Sequence, residues 1–221
     1  MASSLEVTFA GQAMVLDAAL GLFWPEHSAL IVSDLHLEKG TSYAQFGAAV
    51  APYDTLDTLV RLDKLVCRYT PRRLVMLGDS FHDKQAWERL PDGAQRHLVN
   101  ICNSVDEAVF VEGNHDVGVK VHPCLQFADE ITLGGVVLRH EPEADNAPQI
   151  IGHFHPKAGA NLRGFRLRGK CFAKTDNLLV MPAFGSFTGG LDIRDEVFTD
   201  LSGGADWQAY LVYKSTIAAL K

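Results

Sequence analysis

Short apolar runs and helical patterns alternate through the first half of the chain. Residues 29–32, 74–77 and 108–111 are almost entirely apolar, and such runs favour strands that are covered on both faces. Between them, residues 54–69 and 92–103 carry apolar positions at helical spacing. The order strand, helix, strand, helix, strand predicts an α/β first half.

The second half predicts strands, because the helical period disappears after residue 130. Glycine and proline turns separate five segments that are typical of strands: 136–139, 149–151, 165–172, 178–181 and 207–213. Two segments near the start, 5–9 and 13–16, alternate in the manner of strands. Since we find no internal repeat, linker or low-complexity stretch, residues 1–221 are predicted to form one α/β domain of two packed mixed β-sheets flanked by helices.

The composition is that of a globular protein and excludes several classes. Hydrophobic residues make up 47% of the chain and charged residues 21%, which excludes a disordered protein. No apolar run approaches the roughly 20 residues needed to cross a bilayer, and the first residues lack the pattern of a signal peptide. The four cysteines, Cys67, Cys102, Cys124 and Cys171, have no paired spacing. They are predicted to be buried thiols in a reducing compartment, so we expect a cytoplasmic protein with no membrane contact.

Six of the nine histidines lie in short polar clusters at the apparent ends of strands: His36, His82, His115, His140, His153 and His155. In α/β sheets, ligand sites assemble at the carboxyl ends of strands. One such histidine is more often a surface or hydrogen-bonded core residue than a ligand. A surface or core role would have to hold separately for every cluster. Each cluster also contains a residue type whose oxygen or nitrogen atoms bind metals. The ordered series therefore indicates a joint site.

Two of these clusters place a pair of ligand types two residues apart. Asp34 and His36 are one pair, and His153 and His155 are the other. On an extended segment, side chains two residues apart lie on the same side. The carboxylate and the imidazole of the first pair are therefore predicted to hold one metal ion, and the second pair repeats this geometry with two nitrogens.

The remaining clusters supply single ligands. Asp79 follows Gly78, whose lack of a side chain leaves room for two cations to share the carboxylate. Asn114 adds an amide oxygen, and His140 follows a predicted strand. The seven candidate metal ligands are Asp34, His36, Asp79, Asn114, His140, His153 and His155. This mixture of donors suits Mn²⁺, Fe²⁺ or Zn²⁺, and its lack of cysteine argues against structural zinc. Two such ions clamp a phosphoryl group and lower the pKa of a bridging water.

The motifs D-x-H, G-D, G-N-H-[DE], H and G-H-x-H occur here in this order, and they resemble those of the calcineurin-like metallophosphoesterase superfamily. The resemblance implies a four-layer sandwich and two metal ions. The first ion would be held by Asp34, His36, Asp79 and His155. The second would be held by Asp79, Asn114, His140 and His153.

By the same resemblance, His115 contacts the substrate and protonates the leaving oxygen, while Asp116 orients the His115 ring. A histidine with a pKa near neutrality is chemically suited to that step. Residues 78–83 lack the Asp-Arg-Gly of the phosphatase branch, and Arg139 stands where that branch has glycine. Both departures favour diesters over monoesters. His82 is a third catalytic candidate that would meet a phosphate oxygen; a hydrogen bond to a neighbouring residue is the alternative.

Longer segments resemble one bacterial branch, the ligase-associated DNA damage response endonucleases (PdeM type). They are residues 33–40, 52–55, 78–83, 140–142 and 182–185. This resemblance implies Mn²⁺-dependent cleavage of single-stranded DNA in DNA repair. It also implies a functional link with a DNA ligase, a helicase and an exonuclease-like protein.

The formal net charge of -7 argues against a polyanionic partner only if the charge is evenly spread. Residues 157–174 contain no Asp or Glu, and their basic residues are Lys157, Arg163, Arg166, Arg168, Lys170 and Lys174. Arg166, Arg168 and Lys170 alternate and would share one face of a strand. They are candidate DNA-binding residues, since phosphate contacts supply most sequence-independent affinity. A solvated edge strand is the alternative.

Two other functions stay open at this point. One is a phosphodiesterase that acts on a small nucleotide or cofactor. The other, from a different class, is a metal-free interaction scaffold on the same fold. A scaffold would have eroded ligands, whereas all seven are present in this sequence.

Overall fold

The computed structural model describes residues 2–45, 53–119, 121–123, 125–144, 147–162 and 165–220. The strands of the first sheet are β1 (Ser4–Phe9), β2 (Gln12–Asp17), β3 (Leu22–Trp24), β4 (Ala29–Ser33), β5 (Arg73–Leu77), β6 (Glu107–Val111) and β7 (Gln126–Ala128). The strands of the second sheet are β8 (Glu130–Leu133), β9 (Val136–Arg139), β10 (Gln149–Ile151), β11 (Lys157–Leu162), β12 (Phe165–Lys174), β13 (Leu178–Val180), β14 (Gln208–Tyr213) and β15 (Thr216–Ala219). The helices are α1 (Lys39–Gln45), α2 (Asp54–Tyr69), α3 (Ala86–Arg89), α4 (Asp92–Asn103) and α5 (Glu196–Leu201).

Both sheets are mixed. The first has the order β1-β2-β3-β4-β5-β6-β7; its strands pair antiparallel up to β4 and parallel from β4 onward. The second has the order β15-β14-β12-β13-β10-β9-β8, and β11 pairs with β12 at its side. Within it, β9, β10 and β13 run parallel. The predicted fold class, two mixed sheets with flanking helices, is confirmed.

The apolar runs of the sequence become the covered strands. All five residues of β4 are buried, as expected for a strand with a covered face on either side. Helix α2 turns Leu59, Leu62 and Leu65 inward, each at most 1% exposed. Burying one such side chain stabilises the fold by about 1.5–3 kcal/mol. The helix ends at Thr70, which adopts a left-handed conformation immediately before Pro71.

Several elements were not predicted from the apolar pattern: α1, α3, α5, β3, β7, β8, β11 and β15. Helix α5 also corrects the expectation that helical structure ends before residue 130. All of these elements span three to seven residues. A period of 3.6 residues is not recognisable over so few positions.

The cysteine prediction is only partly right. Cys102 and Cys171 are buried, but Cys67 is exposed because it lies on the polar outer face of α2. Cys124 lies outside the described residues. Among the described residues, every helix is too short or too polar to span a membrane.

Candidate metal centre

Strand ends from both sheets meet at one place. Asp34 follows β4, Asp79 follows β5, and Asn114 follows β6, all in the first sheet. His140 follows β9, and His153 follows β10 in the second sheet. Because β4, β5 and β6 are parallel, and β9 and β10 are parallel as well, their carboxyl ends lie side by side.

The first group of donor atoms surrounds Asp34. His155 Nε2 lies 3.1 Å from Asp34 Oδ1. His36 Nε2 lies 3.3 Å from His155 Nε2 and 3.8 Å from Asp79 Oδ2. These are four of the seven predicted ligands, and they are the four that the family resemblance assigns to the first ion.

The second group lies on the other side of Asp79. His140 Nε2 is 3.5 Å from Asp79 Oδ2 and 3.1 Å from Asn114 Oδ1. His153 Nδ1 is 3.3 Å from His140 Nε2. The Asp79 carboxylate therefore stands between the two groups, as expected for a ligand that two ions share.

The donor chemistry of both groups fits a pair of divalent cations. Donor atoms of Asp34, His36 and His155 lie within 4.8 Å of one another, as do those of Asp34, Asp79 and His140. Converging carboxylate oxygens and imidazole nitrogens present many hydrogen-bond acceptors and few hydrogen-bond donors to one another. A cation satisfies all of them at once, so the residues present fit two metal ions.

The backbone at the ligands is unusual. Asp34, His36, Asp79, His153 and His155 all have positive φ values, between 45° and 67°. Residues with side chains rarely adopt this conformation, which costs about 1–3 kcal/mol each and is typical of functional sites. The pairs Asp34/His36 and His153/His155 therefore lie beyond the strands, and the expectation that they sit on extended segments is wrong. Left-handed turns aim both members of each pair inward.

Two glycines make room for the ligands. A Cβ on Gly78 would lie 2.0 Å from His140 Nδ1, and a Cβ on Gly113 would lie 2.3 Å from Asp79 Oδ1. The prediction that a residue without a side chain is needed beside Asp79 thus has a physical basis. The space is used by the imidazole of His140.

Hydrogen bonds hold the carboxylates in place. Ser33 Oγ donates to Asp34 Oδ2 at 2.6 Å, and the His115 amide donates to Asp79 Oδ1 at 2.9 Å. His140 Nδ1 donates to the Leu77 carbonyl at 3.4 Å. This bond leaves His140 Nε2 free to face the centre, which is the usual arrangement of a metal-ligating histidine.

The charges of the centre are those of a cation site. Burial raises the pKa of Asp79, but the hydrogen bond with His140 outweighs it and lowers the pKa to about 2. Burial lowers the pKa of His36 to about 3. Burial also lowers the pKa of His140, yet the hydrogen bond and the charges of Asp79 and Asp34 raise it to about 9. At neutral pH the carboxylates are ionised and His36 is neutral, as metal ligands must be, whereas His140 has to release its proton when a metal ion binds.

His115 stands at the open side of the centre. Its side chain is 38% exposed, and Nε2 lies 4.0 Å from Asp79 Oδ2. Its Nδ1 donates to the His82 carbonyl at 2.7 Å, and its ring stacks on the His82 ring with centroids 5.3 Å apart. These contacts fix the ring and leave Nε2 directed at the centre.

Asp116 does not orient the His115 ring, which corrects the role expected for it. Its buried carboxylate accepts hydrogen bonds from the amides of Ser80, Phe81 and Gly113, at 2.9–3.1 Å. Burial raises the pKa of Asp116 to about 6. Because it ties the loop after β5 to the loop after β6, Asp116 holds the backbone that carries Asp79 and Asn114.

His82 and Lys39 border the same open side. His82 lies 5.9 Å from the His36 ring, centroid to centroid. Its Nδ1 is buried without a hydrogen-bond partner among the described residues. Sequence reasoning missed Lys39, whose pKa is lowered by burial although Asp79 and Asp34 act to raise it. Its only sequence signal was its place three residues after His36.

A second missed residue, Glu141, belongs to the opposite side. Its Oε1 lies 3.6 Å from His153 Nδ1, and it groups with His140 and His153 as a possible ligand. A cavity of about 540 Å³ opens there, and its carboxylates are Glu112, Asp129, Glu130, Glu141 and Glu143. This side of the centre is strongly acidic.

The structure separates the three predicted DNA-binding residues. Arg168 is 59% exposed, and its Nη2 lies 3.8 Å from Asp192 Oδ2. Lys170 Nζ instead donates to the carbonyls of Ala183 and Gly185, both at 2.7 Å. Two of the three N–H groups of Lys170 therefore hold a loop, and its contact with DNA stays a prediction. The Arg166 side chain and Arg163 lie outside what the structure describes.

Such a set of carboxylate, amide and imidazole ligands at the joined edges of two mixed sheets defines a metal-dependent hydrolase. The family model described as calcineurin-like phosphoesterase matches residues 27–202. The chain belongs to this family, as the sequence motifs predicted, and it is a metal-dependent phosphodiesterase.

Two solved structures illustrate the similarity. The chain is 30% identical to the Pseudomonas putida nuclease MPE, with a TM-score of 0.79, covering 98% of this chain and 100% of that chain. It is 16% identical to Yfce, a phosphoesterase from E. coli, with a TM-score of 0.43, covering 87% and 97%. No curated protein matches the chain.

Proposed function

We propose that the chain is a Mn²⁺-dependent endonuclease that cleaves single-stranded DNA in DNA repair. The observation that carries the proposal is the arrangement around Asp79. Two groups of ligands share this carboxylate, and a histidine stands 4.0 Å from it on the open side. The 30% identity to a nuclease over nearly the full chain supports the same assignment.

The seven ligands would hold two divalent ions in the two groups described above, and the mixture of oxygen and nitrogen donors suits Mn²⁺. When bound, the ions would neutralise the phosphoryl oxygens and activate the attacking water. The protein's own contribution is to fix the ligand positions. Asp116 does so through backbone amides, and Ser33 does so through its hydrogen bond to Asp34.

His115 would supply the proton for the leaving oxygen. Its Nδ1–H is committed to the His82 carbonyl, so the second proton of the imidazolium sits on Nε2. That proton is directed at the open side of the centre, where the leaving group of a bound diester would depart. The transfer is general acid catalysis by a positioned histidine.

The charges on either side of the centre favour one path for a polyanionic strand. The acidic cavity beside Glu141 repels phosphates. The opposite side offers the ammonium of Lys39 and the rings of His82 and His115. A strand that approaches from this side brings a phosphate to the metal ions without crossing carboxylates.

The proposal is tested with circular single-stranded DNA, which only an endonuclease can open. In the presence of Mn²⁺ the full chain should linearise the circle, and a chelator should abolish the reaction. The Asp79→Asn variant is the matched control, because it keeps the shape of the shared ligand and removes its charge. Hydrolysis of a small chromogenic diester with no cleavage of DNA would contradict the proposal and favour a nucleotide or cofactor as the substrate.

A functional link with a DNA ligase, a helicase and an exonuclease-like protein stays a prediction, as does the cytoplasmic location. The link follows from the family resemblance, and the location follows from the cysteine spacing and the lack of a signal-peptide pattern. If the link exists, cells that lack this chain should become sensitive to DNA damage to the same degree as cells that lack the ligase. A double deletion that is no more sensitive than either single deletion would support it.

A further inference from the structure

A second cavity of about 390 Å³ lies between the connection from β2 to β3, helix α2 and the turn from β14 to β15. None of its lining residues is a candidate metal ligand. Its charged lining residues are Asp17, Arg61, Arg68, Lys170 and Lys214. We call it the rear cavity.

Both oxygens of the single carboxylate in the rear cavity, that of Asp17, already accept hydrogen bonds from the protein. Asp17 is 1% exposed. Its Oδ2 accepts hydrogen bonds from Arg68 Nη1 at 2.6 Å and from the Tyr69 hydroxyl at 2.7 Å. Its Oδ1 accepts a hydrogen bond from the Ala19 amide at 2.7 Å. Asp17 and Arg68 therefore compensate each other and leave no negative charge for the remaining cations.

Arg61 is compensated outside the cavity. Its Nε lies 3.1 Å from Asp57 Oδ2, and its Nη2 donates to the Phe184 carbonyl at 2.8 Å. Of the charged residues that line the cavity, Lys170 and Lys214 remain to be considered. Across the part of the chain that the structure describes, no carboxylate lies within ion-pair distance of either ammonium.

The ammonium of Lys170 is only partly satisfied by hydrogen bonds. It is largely buried, and two of its three N–H groups are used by the Ala183 and Gly185 carbonyls. The third N–H has no acceptor among the described residues. Burial lowers the pKa of Lys170 to about 7, and the neighbouring charges of Arg61 and Lys157 add to this shift.

The cavity has the size and the polar groups of a small-ligand site. Pockets that hold small molecules enclose roughly 300–1,000 Å³ and place a few polar groups around an apolar wall. Here the hydroxyls of Ser3 and Ser215 stand at the exposed rim, and the wall includes Leu20 and Val212. Ammonium and hydroxyl donors around one space match an oxyanion.

We propose that the rear cavity binds a phosphate group, held by Lys170 and Lys214. The phosphate could come from free inorganic phosphate or from the backbone of a nucleic-acid strand, since both present the same oxygens. The lining of the site contains none of the candidate metal ligands, although Asp34 lies close enough to Lys170 to affect its pKa. Lys170 contacts carbonyls of the segment 183–185, whereas amides of that segment donate to Ser33 and Asp34.

Lys214→Glu tests the proposal without touching the metal centre, since Lys214 is exposed on a turn. Lys64→Glu is the matched control, because Lys64 is exposed on α2 and does not line the cavity. Calorimetric titration of the Mn²⁺-loaded full chain with inorganic phosphate should give a binding phase that Lys214→Glu weakens roughly tenfold or more. Lys64→Glu should keep that phase. Unchanged hydrolysis of a small diester in phosphate-free buffer would establish that both variants are folded.

Binding of a fluorescent 20-nucleotide strand separates the two sources of phosphate. If Lys214→Glu weakens binding of both the strand and inorganic phosphate, the site takes a backbone phosphate. If it weakens only inorganic phosphate, the site takes the free ion. Unchanged binding of both would overturn the proposal. None of these measurements needs DNA cleavage, so the result stands apart from the proposed nuclease activity.

Discussion

Gly78 and Gly11 share the same backbone conformation and differ in what surrounds them. Their φ values are +77° and +76°, a region that side chains disfavour. A Cβ on Gly78 would lie 2.0 Å from His140 Nδ1, while a Cβ on Gly11 would meet nothing within 4 Å. Substituting each glycine in turn therefore distinguishes two contributions to the free energy of unfolding: the strain of the backbone conformation and the crowding of a candidate metal ligand.

Gly11→Ala should lower the free energy of unfolding by about 1–2 kcal/mol, which is the cost of the left-handed conformation. Gly78→Ala should lower it by roughly 2–5 kcal/mol, because overpacking adds to that cost. Gly78→Ala should also lose Mn²⁺ affinity as His140 is displaced. Urea unfolding and calorimetric Mn²⁺ titration would measure both effects. Equal Mn²⁺ affinity in the two variants would show that the crowding is relieved without moving His140.

The general-acid role of His115 can be tested separately from metal binding by comparing two substrates. If it protonates the leaving oxygen, His115→Asn should slow DNA cleavage by about 10²–10⁴-fold. Hydrolysis of bis-nitrophenyl phosphate should suffer much less, because nitrophenolate leaves without a proton. Steady-state kinetics on both substrates would measure the difference.

The control for this variant is His97→Asn on α4, because His97 Nε2 lies 3.8 Å from Asp63 Oδ2 and His97 is not a candidate ligand. It should leave both rates unchanged. The general-acid role fails if His115→Asn slows both substrates by the same factor, since that result would indicate a loss of metal or of fold.

At the scale of elements, the hairpin of β11 and β12 combines two tasks. Lys157 pairs with Lys170, and Gly159 pairs with Arg168 across the hairpin. Lys170 lies toward the body of the protein and holds the segment 183–185. Arg168 lies further along β12, where its side chain is exposed. The basic stripe of the sequence is therefore divided into a structural part and an accessible part.

The predicted DNA contact of β12 is tested by changing Arg166 and Arg168 to Ala together while leaving Lys170 intact. If these residues contact phosphates, the KM for single-stranded DNA should rise and the dependence of binding on salt should become shallower. Hydrolysis of a small chromogenic diester should stay unchanged. Removing Arg72 and Arg96 together is the charge-matched control. The same KM for DNA in both double variants would leave β12 as a solvated edge.

At the scale of the whole molecule, the candidate metal centre joins the two sheets. Asp34, Asp79 and Asn114 come from the first sheet, and His140 and His153 come from the second. A parallel bridge also connects Ser33, at the end of β4, with Ala183, three residues after β13 of the second sheet. Ions bound between the two sheets would therefore act as crosslinks of the folded state.

Mn²⁺ should accordingly stabilise the fold. A ligand at 100 times its Kd adds about 2.7 kcal/mol per site, which corresponds to roughly 5–10 °C in Tm for a chain of this length. Thermal unfolding with Mn²⁺ and with a chelator would measure the shift. Asp79→Asn, which lacks the shared charge, should show little shift. A Tm that does not respond to Mn²⁺ in the unaltered chain would contradict metal binding at this centre.

The sequence by itself determined the fold class and the set of candidate ligands. Long apolar runs such as β4 and long amphipathic helices such as α2 were predicted with nearly the observed bounds, because their burial pattern repeats over enough residues. The candidate ligands could be predicted because Asp, Asn and His recur in short motifs after such runs. Short elements such as α1 and β15 escaped, since tertiary contacts rather than local pattern hold them.

Only the tertiary structure decided how the ligands are aimed and what the other charges do. Asp34 and His155 lie in left-handed turns, which no local pattern of the sequence records. Asp116 and Lys170 had the right residue types for catalysis and DNA contact, yet Asp116 and two of the three N–H groups of Lys170 bond to the backbone. The sequence states which donors and charges exist. Which of them face solvent, one another or a ligand depends on contacts between residues that lie far apart along the chain.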